Sequence, residues 1–373
     1  MAIDGKAVGL ALSGGGYRAS LFGLGSLWRL NDAGLLGQLD RITSVSGGSI
    51  LSGVLAHRWK QLEFTQGRAA NFARAIAEPV QSFCAHTIDI SVGLKGLLTP
   101  FKSAGDFLID RYVKDLFGHT TLKDLPAPGP GVPMFTFYAT NLQTGRSFRF
   151  RQDKVADYKL GESRSLVVPL ATAVAASSAF PPLFSPIILE TEPTQWTSTE
   201  LTSPDCVRLR SRIVLADGGI YDNMGLEQLA GKGTGSVEIL LISDAGAPFV
   251  VEEKPAEDYV SQLGRVRDIL IDQTRALRKR WVIEEFEAGR KRGAYWGVTT
   301  KINDYKASGA LVGDTSLTSK LDDVPTRLSG FEPKLQGQLI NWGYALCDAA
   351  LRTRAALAIP AAARLPLPEW PLS

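Results

Sequence analysis

The stretch Asp40-Arg41-Ile42-Thr43-Ser44-Val45-Ser46-Gly47-Gly48-Ser49 decides how this chain is read. Ile42 to Val45 is a short β-type run that stops at a serine followed at once by two glycines. Ile50 to Trp59 then turns small and apolar, with helical character. Strand, serine, glycine and helix in that order are the layout of a nucleophile elbow, in which a tight turn lifts a serine oxygen above the sheet edge. The helix that follows points its N-terminal N–H groups and positive dipole end at that oxygen, favouring a developing alkoxide. The usual G-x-S-x-G is altered, because Ser44 occupies the first glycine position. Taken alone, Ser-Gly-Gly also makes an ordinary turn.

On the N-terminal side, the apolar run Ala7 to Leu12 ends in Ser13-Gly14-Gly15-Gly16, and Tyr17 to Asn31 has helical periodicity. The first sixty residues therefore read as β-loop-α-β-turn-α. Three glycines at a strand-to-helix junction let backbone N–H groups approach an anion with no Cβ in the way. Cradling a phosphate and forming an oxyanion hole both need this. Gly14-x-Gly16-x-x-Ala19 satisfies a loose dinucleotide fingerprint, but the second strand ends without the acidic residue that a ribose hydroxyl requires. The Walker pattern is missing as well. An oxyanion hole beside the serine is the better reading, with a phosphate-binding loop and an inert Ser46 as the rival.

Later β runs are Met134 to Thr140, Arg212 to Ala216 and Val237 to Ser243, and Ser165 to Phe180 reads as a buried helix stopped by Pro181-Pro182. Strands interleaved with helices predict a mostly parallel sheet covered on both faces. Gln61 to Pro126, without a clear strand, reads as an inserted helical cap. Glu190 to Arg210 reads as an exposed excursion. A long helix is expected over Tyr259 to Ala288, with Leu263, Val266, Leu270, Leu277 and Trp281 at three- and four-residue steps predicting one buried face. The chain divides into a catalytic domain over 1–300, with the cap at 61–126, and a C-terminal extension over 301–373 packed on it and ending in a Pro-rich tail.

A nucleophilic serine needs a base. The chain has three histidines, His57, His86 and His119. His57 lies on the helix that Ser46 starts, ~16 Å along it at the helical rise, and the other two fall in the cap without an obvious carboxylate partner. A Ser-His-Asp esterase would need His86 or His119 to reach Ser46. The alternative base is Asp217 in Val214-Leu215-Ala216-Asp217-Gly218-Gly219, delivered to the end of an apolar strand where α/β folds place catalytic groups. An aspartate is a weak base toward a hydroxyl unless it is desolvated or an oxyanion site is preorganised. Asp244, ending the next apolar strand, is the rival carboxylate.

These residues add up to a resemblance. Gly14-Gly15-Gly16-x-Arg18, Ser44-Val45-Ser46-Gly47-Gly48, Ala176-Ser177-Ser178-Ala179-Phe180-Pro181 and Asp217-Gly218-Gly219 resemble, in order and setting, the four blocks of the patatin-like phospholipases. The resemblance implies a three-layer α/β/α fold and a Ser-Asp dyad lipid acyl hydrolase without catalytic histidine, metal or cofactor. By that carry-over Ser46 is the nucleophile, Asp217 the base, and Gly14, Gly15 and Gly16 supply oxyanion N–H groups. Arg18 supports the loop or a lipid phosphate. Ser44 departs from the family's first glycine and is small enough for the crowded elbow.

Composition limits the rest. The 373 residues are 45% hydrophobic and 21% charged, as in an ordinary globular protein. A formal charge of +3 argues against a nucleic-acid polymer as partner. Three scattered cysteines, Cys84, Cys206 and Cys347, read as a reducing compartment, and the N-terminus shows no signal-peptide pattern. No apolar run approaches a membrane span. The expectation is a cytoplasmic enzyme that touches the membrane peripherally to reach its phospholipid. Ile88 to Phe101, with Leu97, Leu98 and Phe101, reads as a lid or docking edge or as packed cap. Arg275, Arg278, Lys279, Arg280, Arg290, Lys291 and Arg292 form the densest basic cluster. Some bacterial patatin-like proteins act in antiviral defence under cyclic-nucleotide control, so this cluster is where such an activator would bind. Assembly into a homo-oligomer is the other mode of control.

Overall fold

Short β-branched runs separated by small-residue helices build a sheet with helices on both faces, as the pattern predicts. The computed structural model describes residues 3, 5–88, 103–197, 205–230 and 236–373. Among these residues ten strands form the main sheet. They are β1 (Val8–Leu12), β2 (Arg41–Val45), β3 (Met134–Asn141), β4 (Arg146–Arg151), β5 (Val155–Asp157), β6 (Gly161–Ser163), β7 (Ile187–Glu190), β8 (Arg212–Asp217), β9 (Ile239–Asp244) and β10 (Arg292–Gly297). Their order is β10-β9-β1-β2-β3-β4-β5-β6, with β8 paired to β3 and to β7.

The half of the sheet from β10 to β3 is parallel. All side chains of β1 and β9 are buried, as expected of strands covered on both faces. From β3 onward the pairing is antiparallel, through a meander that sequence periodicity did not separate from loop. One register matters for the site. The first five residues of β3 pair with β2, ending at Val45 opposite Tyr138. Its last three pair with β8, beginning at Ala139 opposite Asp217. Strands β2 and β8 thus share one edge of β3 and run head to head, so that their C-terminal ends converge.

The first helix, Gly16–Asp32, is buried along nearly its whole length against the last helix, Pro333–Thr353. Arg29 and Asp348 form an ion pair across that contact at 2.7 Å, each almost completely buried. The C-terminal helix therefore shares the main core, and the residues after it stay docked: Leu372 is buried, and the carbonyls of Leu367 and Trp370 accept from Asn341 Nδ2. The region read as a cap packs Phe72, Ile76, Val80, Phe83, Tyr112 and Phe117 into the same core. It contains a short hairpin, Phe64–Thr65 with Arg68–Ala69, where no strand was expected. The predicted lid residues Leu97, Leu98 and Phe101 lie outside the described residues.

One expectation fails. The long helix forms over Tyr259–Glu287, but the apolar stripe chosen as its buried face points to solvent. Leu263, Val266, Leu270, Leu277 and Trp281 are all exposed, and Val282 is the residue it buries. The periodicity was correct and the choice of face was not. The helix meets the body through Val282, Ile283 and Phe286 near its end and through charged side chains, Arg275 to Asp244 and Arg278 to Asp222, which a hydrophobic pattern does not weigh.

Candidate active site

Ser46 sits at the sharp turn between β2 and the helix Gly47–Arg58, with φ 51° and ψ −120°. A non-glycine residue with positive φ is strained and persists only where its surroundings hold it. The surroundings are a chain of buried hydroxyls. Ser46 N–H donates to Ser177 Oγ at 3.0 Å, Ser177 Oγ donates to Ser49 Oγ at 2.8 Å, and Ser49 Oγ donates to Ser44 Oγ at 3.0 Å. Ser44 in turn donates to the Thr136 carbonyl at 3.4 Å. Ser44, the departure from the usual glycine, is thus the end of a network that anchors the elbow. The Ser46 carbonyl accepts from Ser49 N and Ile50 N, opening the helix.

Gly47 is required by close approach: a Cβ there would lie 1.9 Å from the Gly16 carbonyl oxygen. The elbow and the glycine loop are therefore pressed backbone to backbone. At Gly14 a Cβ would fall 2.3 Å from Asn223 Oδ1 and 3.2 Å from Ser46 Cβ, which sets the loop directly beside the serine. The Gly14 N–H is already donated to the Asn223 carbonyl at 2.9 Å. Of the three predicted oxyanion donors, those of Gly15 and Gly16 are left without an acceptor among the described residues.

Asp217, at the end of β8, is 2% exposed. Its Oδ1 accepts from Gly219 N at 2.7 Å, and the Ser46 side chain lies near enough to its carboxylate to favour the ionised form. Burial pushes its pKa up to about 7, against the Gly219 N–H and the Ser46 side chain, which pull it down. It has no ion pair among the described residues. Its backbone is pinned by Asp217 N to the Ala179 carbonyl at 3.0 Å and by Thr140 Oγ1 to the Asp217 carbonyl at 2.8 Å. Such a pair suits transfer of the serine proton to the carboxylate near neutral pH.

The rival carboxylate is occupied. Asp244 Oδ2 pairs with Arg275 at 2.8 Å and accepts from Tyr295 OH at 2.8 Å, while its Oδ1 accepts from Gly246 N. Burial would raise its pKa, but Arg275 and these hydrogen bonds hold it below the usual carboxylate value. The histidines lie elsewhere. His57 packs edge-on against Phe117, and His86 and His119 are exposed; none hydrogen-bonds to Ser46 or Asp217 among the described residues. Arg18 is 1% exposed and donates to the carbonyls of Ala245, Asp322 and Val324. It ties the glycine loop to the C-terminal region, with its guanidinium donors spent on those carbonyls.

The basic cluster is not a free anion patch. Arg275 is committed to Asp244, Arg278 to Asp222, Arg290 to Glu285, Lys291 to the Val237 carbonyl and Arg292 to the carbonyls of Ala355 and Ala356. Lys279 lies over the Tyr295 ring. Arg280 and Arg290 are the exposed members. Among the described residues no three His, Cys, Asp or Glu side chains are grouped to hold a metal, and no helix is long and apolar enough to cross a membrane.

Sequence reading missed Ser177, Ser49 and Asn223. Ser177 was within reach, since it lies in one of the four motif blocks. The carbonyl of Asn223 carried no sequence signal.

Comparison with known proteins identifies the family. The family model described as patatin-like phospholipase matches residues 10–230, more than half of the chain and all the residues above that frame Ser46 and Asp217. Over 46 residues the chain is 48% identical to a Saccharomyces cerevisiae protein named "Putative meiotic phospholipase SPO1"; the match covers 12% of this chain and 7% of that one. Human GIVD cytosolic phospholipase A2 is similar in fold, with a TM-score of 0.52 at 13% identity over 94% of this chain. The same human enzyme in complex with methyl gamma-linolenyl fluorophosphonate gives a TM-score of 0.50 at 13% identity, again over 94% of this chain. The chain spans 60% and 58% of the length of those two structures.

Proposed function

The chain belongs to the patatin-like phospholipase family, and we propose that it hydrolyses acyl ester bonds of membrane glycerophospholipids with Ser46 and Asp217 as a catalytic dyad. The observation that carries this reading is the placement of the Ser46 side chain, raised on a strained turn, beside the buried Asp217 carboxylate, whose ionised form it favours.

Ser46 Oγ attacks the ester carbonyl carbon while its proton passes to Asp217. The tetrahedral oxyanion lies against the N–H groups of Gly15 and Gly16, at the N-terminus of one helix and beside that of another. Its collapse breaks the bond to the lysophospholipid oxygen, which takes the proton from Asp217 and leaves an acyl-Ser46 ester. Water then attacks that ester, giving its proton to Asp217, and collapse breaks the acyl–Oγ bond as Asp217 returns the proton to Ser46 Oγ and the fatty acid departs. Desolvation suits Asp217 to this work, because a carboxylate of ordinary pKa would be too weak a base. The substrate lies in a bilayer, so the chain meets the membrane peripherally. The Ser-His-Asp alternative lacks a histidine at the pair among the described residues, and the nucleotide-loop alternative gives no reason for a buried carboxylate beside Ser46.

The test is release of fatty acid and lysophospholipid from phosphatidylcholine vesicles, with fluorophosphonate labelling in parallel. Wild type should turn over and label at Ser46; Ser46→Ala should do neither, and Asp217→Asn should lose nearly all turnover. Residues acting as a unit are non-additive, so the double variant should be little worse than either single one. Substantial hydrolysis by folded Ser46→Ala would end the assignment.

A further inference from the structure

A polar cavity of about 450 Å³ opens at the end of the sheet away from Ser46. Arg41 begins β2 and lines the cavity, and Ser46 follows the last residue of that strand. At ~3.3 Å per residue the two lie ~16 Å apart. Strand pairing builds the cavity. Arg41 lies opposite Met134, Arg151 opposite Thr136, and Arg149 opposite Tyr138 on one side and Ala156 on the other. Side chains two residues apart share a face of a strand, so Arg41, Arg149 and Arg151 stand on one face of the sheet. Lys154 and Arg164 complete the basic lining.

Five cations therefore line this cavity against one carboxylate, Asp153. Asp153 takes Arg151 in a two-pronged pair at 2.8 and 2.9 Å, and Glu162, outside the lining, pairs with Lys154 and Arg164. Arg149 makes no hydrogen bond or ion pair among the described residues, and its Nε is buried without an acceptor. Asp40 and Glu227 act on Arg41 and Arg149 at longer range, but neither lines the cavity. Nor is this a solvated basic face: the side chains of Arg151 and Lys154 are 13% and 20% exposed. Burial, and then the charge of Arg151, hold Arg41 below the usual arginine pKa. Like charges enclosed in this way cost stability and focus a positive potential, and an anion placed among them relieves both.

We infer that this cavity binds a small soluble molecule carrying two or more linked phosphate groups. Arginine forks match phosphate oxygens in pairs, and Arg149 has its donors unspent. The volume is that of a small-ligand site, with room for more than one phosphate. Met134 and Ala156 are the only apolar side chains in the lining, so the cavity offers no seat to an acyl chain or an aromatic ring. The choice of a soluble source rests on the phospholipase reading of Ser46: a bilayer held at this end of β2 would lie away from the serine that must reach its lipid.

Isothermal titration calorimetry of the full chain with sodium pyrophosphate, at fixed ionic strength, is the test. It reads binding without turnover, so its failure would leave the reading of Ser46 standing. Wild type should bind one pyrophosphate per chain more tightly than sulfate, and pyrophosphate should raise its melting temperature. Arg149→Gln should weaken binding about tenfold or more, through loss of charge-assisted hydrogen bonds. Arg164→Gln, at an exposed position, should weaken it severalfold and serves if Arg149→Gln does not fold. Arg280→Gln, on the long helix, should bind as wild type does. All three variants should keep the wild-type rate on a soluble short-chain ester. Pyrophosphate that binds no tighter than sulfate, or folded variants at Arg149 and Arg164 that bind it as well as wild type, would overturn the inference. Binding confined to vesicles containing phosphatidylinositol bisphosphate, with none to free pyrophosphate, would overturn it in favour of a lipid headgroup.

Discussion

Ser46 and Asp217 meet because the strands that carry them end against each other along β3: Val45 faces Tyr138, and Asp217 faces the next residue, Ala139. The parallel β2 arrives from one end and the antiparallel β8 from the other. The gap between them holds the hydroxyl and the carboxylate. Moving either strand by one residue would turn its last side chain to the opposite face of the sheet, so the register of β3 sets the chemistry.

The elevated pKa of Asp217 has a direction in both activity and stability. The proposed base must be ionised, so kcat/KM on a soluble ester should rise with pH through about 7. For stability, the folded pKa lies above the unfolded one, so the folded state binds more protons between pH ~4 and ~7. Ionising Asp217 therefore destabilises the fold as pH rises through that window. Asp217→Asn lacks the penalty and should melt higher than wild type at pH 8, with the difference shrinking toward pH 4; thermal melts at the two pH values measure it.

Ser177 should act as a positioning residue. Ser177→Ala leaves the buried Ser46 N–H without its acceptor, a loss of about 1–3 kcal/mol in local satisfaction. Turnover should fall roughly tenfold or more with KM little changed, while Ser177→Thr, which keeps a hydroxyl, should recover part of it. Steady-state kinetics on one soluble ester separate the two parameters. A change confined to KM would remove Ser177 from the support of the elbow.

The two strand-end aspartates should behave oppositely. Asp244→Asn strips the charge partner from buried Arg275 and should destabilise the protein by about 3–5 kcal/mol, yet the folded fraction should keep its turnover. Denaturant melts together with activity normalised to folded protein check this. Complete loss of turnover in a folded Asp244→Asn protein would reopen the assignment of the base.

Joint replacement of His57, His86 and His119 should leave most of the specific activity, and chelators should have no effect on it. Vesicle hydrolysis by the purified variant tests both. Loss traced to one histidine and rescued by imidazole would favour a triad.

The interhelical ion pair offers a stability test far from the chemistry. Asp348→Ala leaves Arg29 charged and buried and should cost about 3–5 kcal/mol. Arg29→Met with Asp348→Leu, removing both charges, should cost much less in the same melt.

What the chain determined by itself was local. The turn at Ser46, the glycine loop, the helix stopped by Pro181-Pro182 and the apolar run ending in Asp217 are backbone demands met within a few residues, and such demands leave motifs. Tertiary structure decided which groups complete the site. Asp217 and Asp244 look alike in sequence, each closing an apolar strand before a small-residue turn; they part only because Arg275 folds back onto one and leaves the other without a cation. Gly14 lost its free N–H to a carbonyl of Asn223, and Ser44 gained a purpose from Ser49 and Ser177. The long helix showed its apolar period plainly, yet which side faced inward was settled by ion pairs to Asp244 and Asp222 and by a core cluster that takes up Val282. Hydrophobic patterning reports that a face is apolar, whereas burial and pairing depend on what the rest of the chain brings against it.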